Sequence, residues 1–102
     1  MKMIRTVEVI NLKTCKNWGQ SGDVRIDRKT KWGNPYEMLN KSEAERNRVC
    51  DLYEETFIKR GLDITDLKNA KRLGCWCKPL RCHGDYLKKQ IEDYNDPIPP
   101  TL

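Results

Sequence analysis

The spacing of apolar and polar residues predicts three short strands along the chain. Residues 6–12 read Thr-Val-Glu-Val-Ile-Asn-Leu, a β-branched run with the partial alternation that is typical of a strand. Residues 24–26 form a second, shorter alternating stretch, and residues 73–77 form an apolar run that Pro79 ends. In that third strand, Cys75 and Cys77 are expected on one face and Trp76 on the other.

Helical spacing marks three further segments. Ser42 and Glu45 form a capping box at the start of the first helix, and Gly61 suits the C′ position after its end. Between them, five residues fall on one helical face: Val49, Leu52, Tyr53, Thr56 and Phe57. Asp63 is expected to cap a second, shorter helix, and residues 83–94 are expected to form a third. The order β-β-α-α-β-α predicts a small α/β fold, with a short sheet of about three strands and three helices packed on it.

The chain is expected to form one domain over residues 1–95, followed by a proline-rich tail over residues 96–102. The tail is expected to be extended and is a candidate contact for a partner protein. Charged residues interrupt every apolar run, so no membrane span is predicted. The opening Met-Lys-Met-Ile-Arg lacks the apolar core of a signal peptide, so a cytoplasmic location is expected.

Charge favours polyanionic partners such as a nucleotide or nucleic acid. The 102 residues contain 20 basic and 15 acidic side chains, which gives a net charge of +5. Four cations lie close together, opposed by Asp23 and Asp27: Arg25, Arg28, Lys29 and Lys31. This segment is either a phosphate-binding edge or an ordinary solvated loop face.

Reactive groups are concentrated in residues 75–83, Cys-Trp-Cys-Lys-Pro-Leu-Arg-Cys-His, which hold three of the five cysteines and the only histidine. Cysteines without a secretory signal favour reduced thiols in a cytosol. The predicted order of strand, loop and helix places Cys82 and His83 at a helix N-terminus, at the carboxyl edge of the sheet. Ligands usually bind at this edge in α/β folds, and helix N–H groups there stabilise a thiolate or a phosphate.

Three interpretations of this cluster compete. As a zinc site, it would offer four ligands, although the spacing is not the usual one: Cys75, Cys77, Cys82 and His83. As a catalytic site, it would use Cys82 as nucleophile, with His83 or Asp85 as acid or base. In the third interpretation, the cysteines pack in the interior and His83 caps the helix.

A second candidate site lies at residues 31–36, Lys-Trp-Gly-Asn-Pro-Tyr, where Gly33 and Asn34 can adopt a positive φ. Trp32 could stack on a base or sugar, and Asn34 could hydrogen bond to a base edge. Arg28 and Lys31 would supply charge to the same ligand. The alternative is that Trp32 fills the core between sheet and helix while residues 33–35 only turn the chain.

Together, residues 31–36 and residues 75–85, Cys-Trp-Cys-Lys-Pro-Leu-Arg-Cys-His-Gly-Asp, resemble the domain of unknown function 4326, a family of phages, archaeal viruses and prokaryotes. The resemblance covers about residues 7–87. It departs from the family pattern where Asp27-Arg28 replaces Gly-Arg and where Ala70-Lys71 replaces Gly-Lys. The Cys-His ending after a strand also resembles a second uncharacterised family with a Rossmann-like fold. The resemblance implies that the two motifs build one pocket, a Rossmann-like layering and, for a viral protein, the host cytoplasm.

These observations lead to two hypotheses about function. In the first, a pocket at the carboxyl edge binds a nucleotide or another phosphorylated ligand through Arg28, Lys31, Trp32 and Asn34. A sharper version makes the protein an enzyme on nucleotides or nucleic acid, with a catalytic group of Cys82, His83 and Asp85. In the second, the chain is a non-enzymatic module, stapled by zinc or packed cysteines, that binds nucleic acid or protein.

Overall fold

The computed structural model describes residues 6–95, which form a mixed α/β domain. Three strands are present, β1 (Glu8–Asn11), β2 (Asp23–Arg25) and β3 (Arg72–Cys75), with two helices, α1 (Glu43–Thr56) and α2 (His83–Asn95). A single 3-10 turn, Ile64–Leu67, precedes β3. The predicted tail, residues 96–102, lies outside the described residues. Within residues 6–95, no helix is long and apolar enough to cross a membrane.

The three strands form a parallel sheet in the order β1-β3-β2. The last strand in the chain is therefore the central one, and Leu73 is in register with Val9 on one side and Val24 on the other. In a parallel sheet all carboxyl ends lie at one edge, so the loops after β1, β2 and β3 leave the sheet together. Helix α2 packs against β1 and β3, which gives the sheet a helical layer.

Helix α1 begins and ends with the predicted signals. Ser42 Oγ accepts a hydrogen bond from Glu45 N at 3.2 Å, although the Glu45 carboxylate accepts from Leu39 N rather than Ser42 N. After Thr56, the chain continues to Gly61, where φ is +76°. Hydrogen bonds from Gly61 N to Ile58 O and from Leu62 N to Phe57 O form a Schellman ending there.

The prediction of three helices is corrected by the segment after Asp63. Asp63 Oδ1 accepts from Thr65 N at 2.9 Å, as a helix cap does, but the helical turn ends at Leu67. The backbone N–H groups of Lys71 and Arg72 then donate to Gly22 O, which brings the chain into the centre of the sheet at β3. Leu67 is buried by this turn and anchors the connection.

The core lies between the sheet and the two helices. Its largest fully buried side chains come from every layer: Tyr53, Ile26, Leu73, Leu87, Ile91 and Val7. Gly84 in the first turn of α2 allows the helix to approach the sheet closely. A Cβ atom at this position would lie 2.8 Å from both Ile26 Cδ1 and Val9 Cγ1. The sequence Cys-His-Gly-Asp therefore places a helix N-terminus directly on the carboxyl edge of the sheet.

Candidate functional site

A cavity of about 400 Å³ opens at the carboxyl edge of β2 and β3. Its wall is formed by residues 27–29 after β2, residues 75–77 at the end of β3, residues 34–38, the start of α1, and the N-terminus of α2. The predicted pocket position and the observed cavity therefore coincide. Of the predicted site residues, six line the cavity: Arg28, Asn34, Cys75, Cys77, Cys82 and His83. Three are not among its lining residues: Lys31, Trp32 and Asp85.

Residues 82–85 form a capping box at the start of α2. Gly84 N donates to Cys82 Sγ at 3.3 Å, and Cys82 N donates to Asp85 Oδ2 at 3.2 Å. The second Asp85 oxygen, Oδ1, pairs with the Lys78 ammonium. Both oxygens of the predicted catalytic carboxylate are therefore used to fix the helix start and the preceding loop.

His83 is buried and makes one hydrogen bond that determines its tautomer. Nε2 lies 2.6 Å from the Ile26 carbonyl oxygen, and because a carbonyl can only accept, Nε2 carries the proton. Burial lowers the pKa of His83, which favours the neutral ring. Nδ1 is then the unprotonated nitrogen, so His83 retains one atom that can accept a proton.

Three thiols meet where β3 ends and α2 begins. Cys75 Sγ and Cys82 Sγ lie 3.5 Å apart, and both residues are buried. Hydrogen bonds from the Cys77 and Cys82 thiols lower the pKa of Cys75, while the bond to Cys75 raises the pKa of Cys82 and that of Cys77. A group this close holds at most one negative charge, and the surrounding donors favour it on Cys75.

The zinc interpretation finds no support in the described part of the chain. Among residues 6–95, no group of three or more His, Cys, Asp or Glu side chains has an arrangement that could hold a metal ion. The Nε2 atom of His83 also faces a backbone carbonyl. The geometry therefore gives no support to the zinc interpretation.

Trp32 lies in the core rather than at the cavity. It is buried, its ring stacks on Phe57 with 6.3 Å between centroids, and its carbonyl accepts from the Tyr53 hydroxyl at 2.7 Å. Lys31 reaches away from the cavity to Asp66, at 3.0 Å. The position of Trp32 matches the alternative in which it fills the space between sheet and helix.

The other residues of 31–36 brace the cavity wall. Asn34 Nδ2 donates to Val49 O at 2.9 Å, and Oδ1 accepts from Tyr36 N at 3.0 Å, so its amide ties the loop to α1. Gly33 does not use the positive φ that its sequence would tolerate. Glycine is needed there because a Cβ atom would lie 2.5 Å from Arg28 Cα. This contact holds the turn that presents residues 27–29.

Trp76 is the main site residue that sequence reasoning missed. The third strand was predicted to continue to residue 77, but β3 ends at Cys75, so the alternation of faces stops there. As a result Cys75, Trp76 and Cys77 all line the cavity. Trp76 is 55% exposed, and its indole Nε1 donates to Asp27 Oδ2 at 3.0 Å.

Asp27, which holds Trp76, is an almost completely buried carboxylate. It is 8% exposed, and its Oδ2 atom also pairs with the Arg25 guanidinium, while Oδ1 has no hydrogen-bond partner. Burial alone would raise the pKa of Asp27, but hydrogen bonds from Arg25 and Trp76 outweigh burial and hold it below its usual value. Asp27 is therefore charged, and it fixes the indole in place. The sequence signal for this pair was the placement of Arg25 and Asp27 two residues apart, at the end of β2 and just after it.

Basic side chains surround the cavity. Arg28 is oriented by two backbone carbonyls, with Nε 2.9 Å from Asn34 O and Nη2 3.2 Å from Tyr36 O. Lys29 and Arg46 also line the cavity. Arg81 lines it too, but its charge is shared with two acidic residues of α1, Asp51 and Glu54.

These features define a small α/β domain with a basic, thiol-lined cavity at the carboxyl edge of its parallel sheet. The family model named "Domain of unknown function (DUF4326)" matches residues 10–93, and the chain belongs to this family, which confirms the resemblance seen in the two motifs. The chain is also 38% identical over 71 residues to the "Uncharacterized 12.4 kDa protein in nrdA-td intergenic region" of Enterobacteria phage T4. That alignment covers 64% of this chain and 63% of the phage protein. No solved structure matches the chain.

Proposed function

We propose that the protein binds a nucleotide, or another ligand that joins a flat ring to a phosphate, in the cavity at the carboxyl edge. The observation that carries this proposal is Trp76, a tryptophan that is 55% exposed beside the cavity although its indole N–H is held by buried Asp27. A ring already held in one orientation loses little conformational entropy when a base stacks on it. Such stacking is worth about 1–3 kcal/mol per base.

The size of the cavity supports the same ligand class. Small-molecule sites usually enclose about 300–1,000 Å³, and about 400 Å³ is available here. Three larger apolar or aromatic side chains also line the cavity: Tyr36, Met38 and Val49. A base and part of its sugar could occupy such a space and leave the phosphate outside it.

The cations around the cavity are suited to that phosphate. Lys29 and Arg46 have no ion-pair partner within residues 6–95, so their charge is not neutralised there. Arg28 is 58% exposed and only 3.7 Å from Glu37, an exposed pair that is worth little. Its guanidinium is nevertheless held in place by two carbonyls, which prepares it to donate a hydrogen bond to a phosphate oxygen.

A catalytic role for Cys82 and His83 is the sharper form of the proposal. Both residues line the cavity, and neutral His83 keeps Nδ1 free of a proton, as a general base requires. Asp85 does not line the cavity, and we assign it a positioning role through Cys82 and Lys78. The ligand-binding prediction is kept for Arg28, whereas Trp76 takes the stacking role first expected of Trp32.

The test is to titrate the full chain with nucleoside monophosphates and triphosphates, following tryptophan fluorescence and ligand NMR signals. Trp76→Ala should weaken binding of the best ligand by about 10- to 100-fold, the range that corresponds to one stacked base, while Trp76→Phe should recover much of it. Trp18→Phe is the matched control, because Trp18 packs on β3 near Gly74 and should leave affinity unchanged.

Salt and ligand choice separate this proposal from its alternatives. Binding through the phosphate should weaken between about 50 and 200 mM salt. A single-stranded oligonucleotide that binds much more tightly than any mononucleotide would favour the non-enzymatic nucleic-acid module. Equal affinity of wild type and Trp76→Ala for every ligand tested would contradict the proposal.

A further inference from the structure

The thiols of the cavity wall carry an inference that is independent of nucleotide binding. Cys75 is the last residue of β3 and Cys82 is the cap of α2, and their sulfur atoms lie 3.5 Å apart. We propose that Cys75 and Cys82 form a peroxide-reactive dithiol, in which Cys75 is oxidised by a hydroperoxide and Cys82 then closes an intramolecular disulfide.

The geometry favours closure between these two atoms. A disulfide needs its sulfur atoms about 2.05 Å apart, so the observed separation must shorten by roughly 1.5 Å. Both residues stand at the ends of elements that already touch, since Gly84 allows α2 to lie directly on the sheet. Rotation of the two side chains can therefore supply much of the movement.

The surroundings of Cys75 favour it as the atom that is attacked first. Its sulfur accepts from the thiols of Cys77 and Cys82 and from backbone N–H groups of Cys77 and Lys78, which together lower its pKa. The thiolate is the form of cysteine that reacts with peroxides. Cys82 is already directed at Cys75 by their mutual contact, as a resolving thiol must be.

The reaction balances with a hydroperoxide as the single oxidant. The Cys75 thiolate attacks one peroxide oxygen, the O–O bond breaks, and Cys75 becomes a sulfenic acid while the other oxygen leaves as an alcohol or water after taking up a proton. Cys82, on losing its proton, then attacks Cys75 Sγ. The S–S bond forms, the S–O bond breaks, and the sulfenic oxygen leaves as water. Two thiols are oxidised and one peroxide is reduced.

Access explains why a small oxidant is required. Both sulfurs belong to side chains that are at most 3% exposed, but both residues line the cavity. Hydrogen peroxide can enter a cavity of this size, whereas a bulky disulfide reagent would meet the half-buried Cys77 first. The remaining cysteines serve as controls: Cys50 also lines the cavity, but its Sγ lies 3.9 Å from Arg81 O, and Cys15 lies beside Asn17.

The experiment treats the full reduced chain with a small excess of hydrogen peroxide and digests it with trypsin. Cleavage places Cys75 and Cys77 in peptide 73–81 and Cys82 in peptide 82–88, since Lys78 is followed by proline. We expect these two peptides to be joined and the free thiols to fall from five to three. Cys77→Ser should retain the link and Cys75→Ser should lose it, while Cys50→Ser and Cys15→Ser should behave as wild type.

A second measurement tests whether Cys75 is the thiol that is oxidised first, and it does not depend on formation of the disulfide. In Cys82→Ser combined with Cys77→Ser, no neighbouring thiol of the cluster can resolve the oxidised Cys75, so dimedone added as the chain is denatured should trap a sulfenic acid on peptide 73–81. Three results would overturn the proposal: unlinked peptides, a peptide 73–81 that is internally oxidised, or a link that disappears in Cys77→Ser. Dimers between chains in place of the internal link would overturn it as well.

Discussion

Residues 31–36 and residues 75–85 contain similar parts, and the fold uses them in opposite ways. Each has a tryptophan, a glycine at a close backbone approach and a side chain that binds nearby backbone. In the first segment, Trp32 and Asn34 are both used to build the domain, one in the core and one as a tie to α1. In the second, capping by Cys82 and Asp85 satisfies the helix start and leaves the face of Trp76 exposed.

This difference shows what makes a side chain available to a ligand. A tryptophan in a polar loop becomes a contact surface only when its ring is not needed in the core and its indole N–H is satisfied. Trp32 fails the first condition, because its ring is buried in the core against Phe57. Trp76 meets both through Asp27. The first segment braces the cavity and the second supplies its functional groups.

The largest effect should come from Trp32→Ala, which tests whether the first segment is structural. Loss of a buried tryptophan ring removes its burial and leaves a cavity, so the free energy of unfolding should fall by about 3–5 kcal/mol. Urea unfolding monitored by circular dichroism measures this change. Trp32→Phe should recover part of the stability, and a Trp32→Ala protein as stable as wild type would break the comparison.

Periodicity and capping predicted most of the fold. The strands and both α-helices were placed within a few residues, because alternation, the Ser42 cap and the glycine at 61 are local signals that the tertiary structure keeps. The shorter helix capped by Asp63 is present only as a 3-10 turn, because the chain must pair with Gly22 and enter β3 soon after it, and such a long-range contact is not a local property. The Rossmann-like description remains a prediction.

The site was predicted less completely for a related reason. The cluster at 75–83 was found by its composition, but the roles of Trp32 and Trp76 depend on which one reaches the core. Two features of the structure are linked to the position of each tryptophan. β3 ends at Cys75 instead of residue 77, and Gly33 packs against Arg28. Neither the strand end nor that contact has a sequence signature. The burial of Asp27 beside the partly exposed Arg25 likewise becomes visible only once β2 is placed beside β3.

A pH effect of intermediate size should arise from His83. Its folded pKa is lowered by burial from the usual value of 6.5, so the unfolded chain binds the proton more tightly. The contribution of the neutral His83 ring to the free energy of unfolding is therefore complete above pH 6.5, and it is lost as the pH falls toward the folded pKa. The loss approaches about 1.4 kcal/mol per pH unit in that window, and urea unfolding between about pH 7.5 and pH 5 would measure it.

Replacement of His83 by glutamine separates this contribution from others. Glutamine keeps an N–H group that can donate to Ile26 O but has no proton to gain, so the slope above about pH 5 should flatten. The Tyr53 hydroxyl beside His83 does not titrate in this window, because burial raises the pKa of Tyr53 well above its usual value and the hydroxyl stays neutral. An unchanged slope in His83→Gln would show that the buried ring of the second segment is not the group that titrates.

The smallest effect should come from substitution of Asp85. This substitution tests whether residues 75–85 need the Asp85 carboxylate for structure or for catalysis. Asp85→Ala removes the acceptor of Cys82 N and the partner of Lys78, so the free energy of unfolding should fall by about 1 kcal/mol, as for loss of a helix cap. Asp85→Asn keeps an acceptor for Cys82 N and should cost only a few tenths of a kcal/mol. If ligand turnover is found and Asp85→Asn abolishes it while stability is retained, the carboxylate acts in catalysis and the positioning role is wrong. If activity follows stability through both variants, Asp85 acts by holding Cys82 and Lys78 at the cavity.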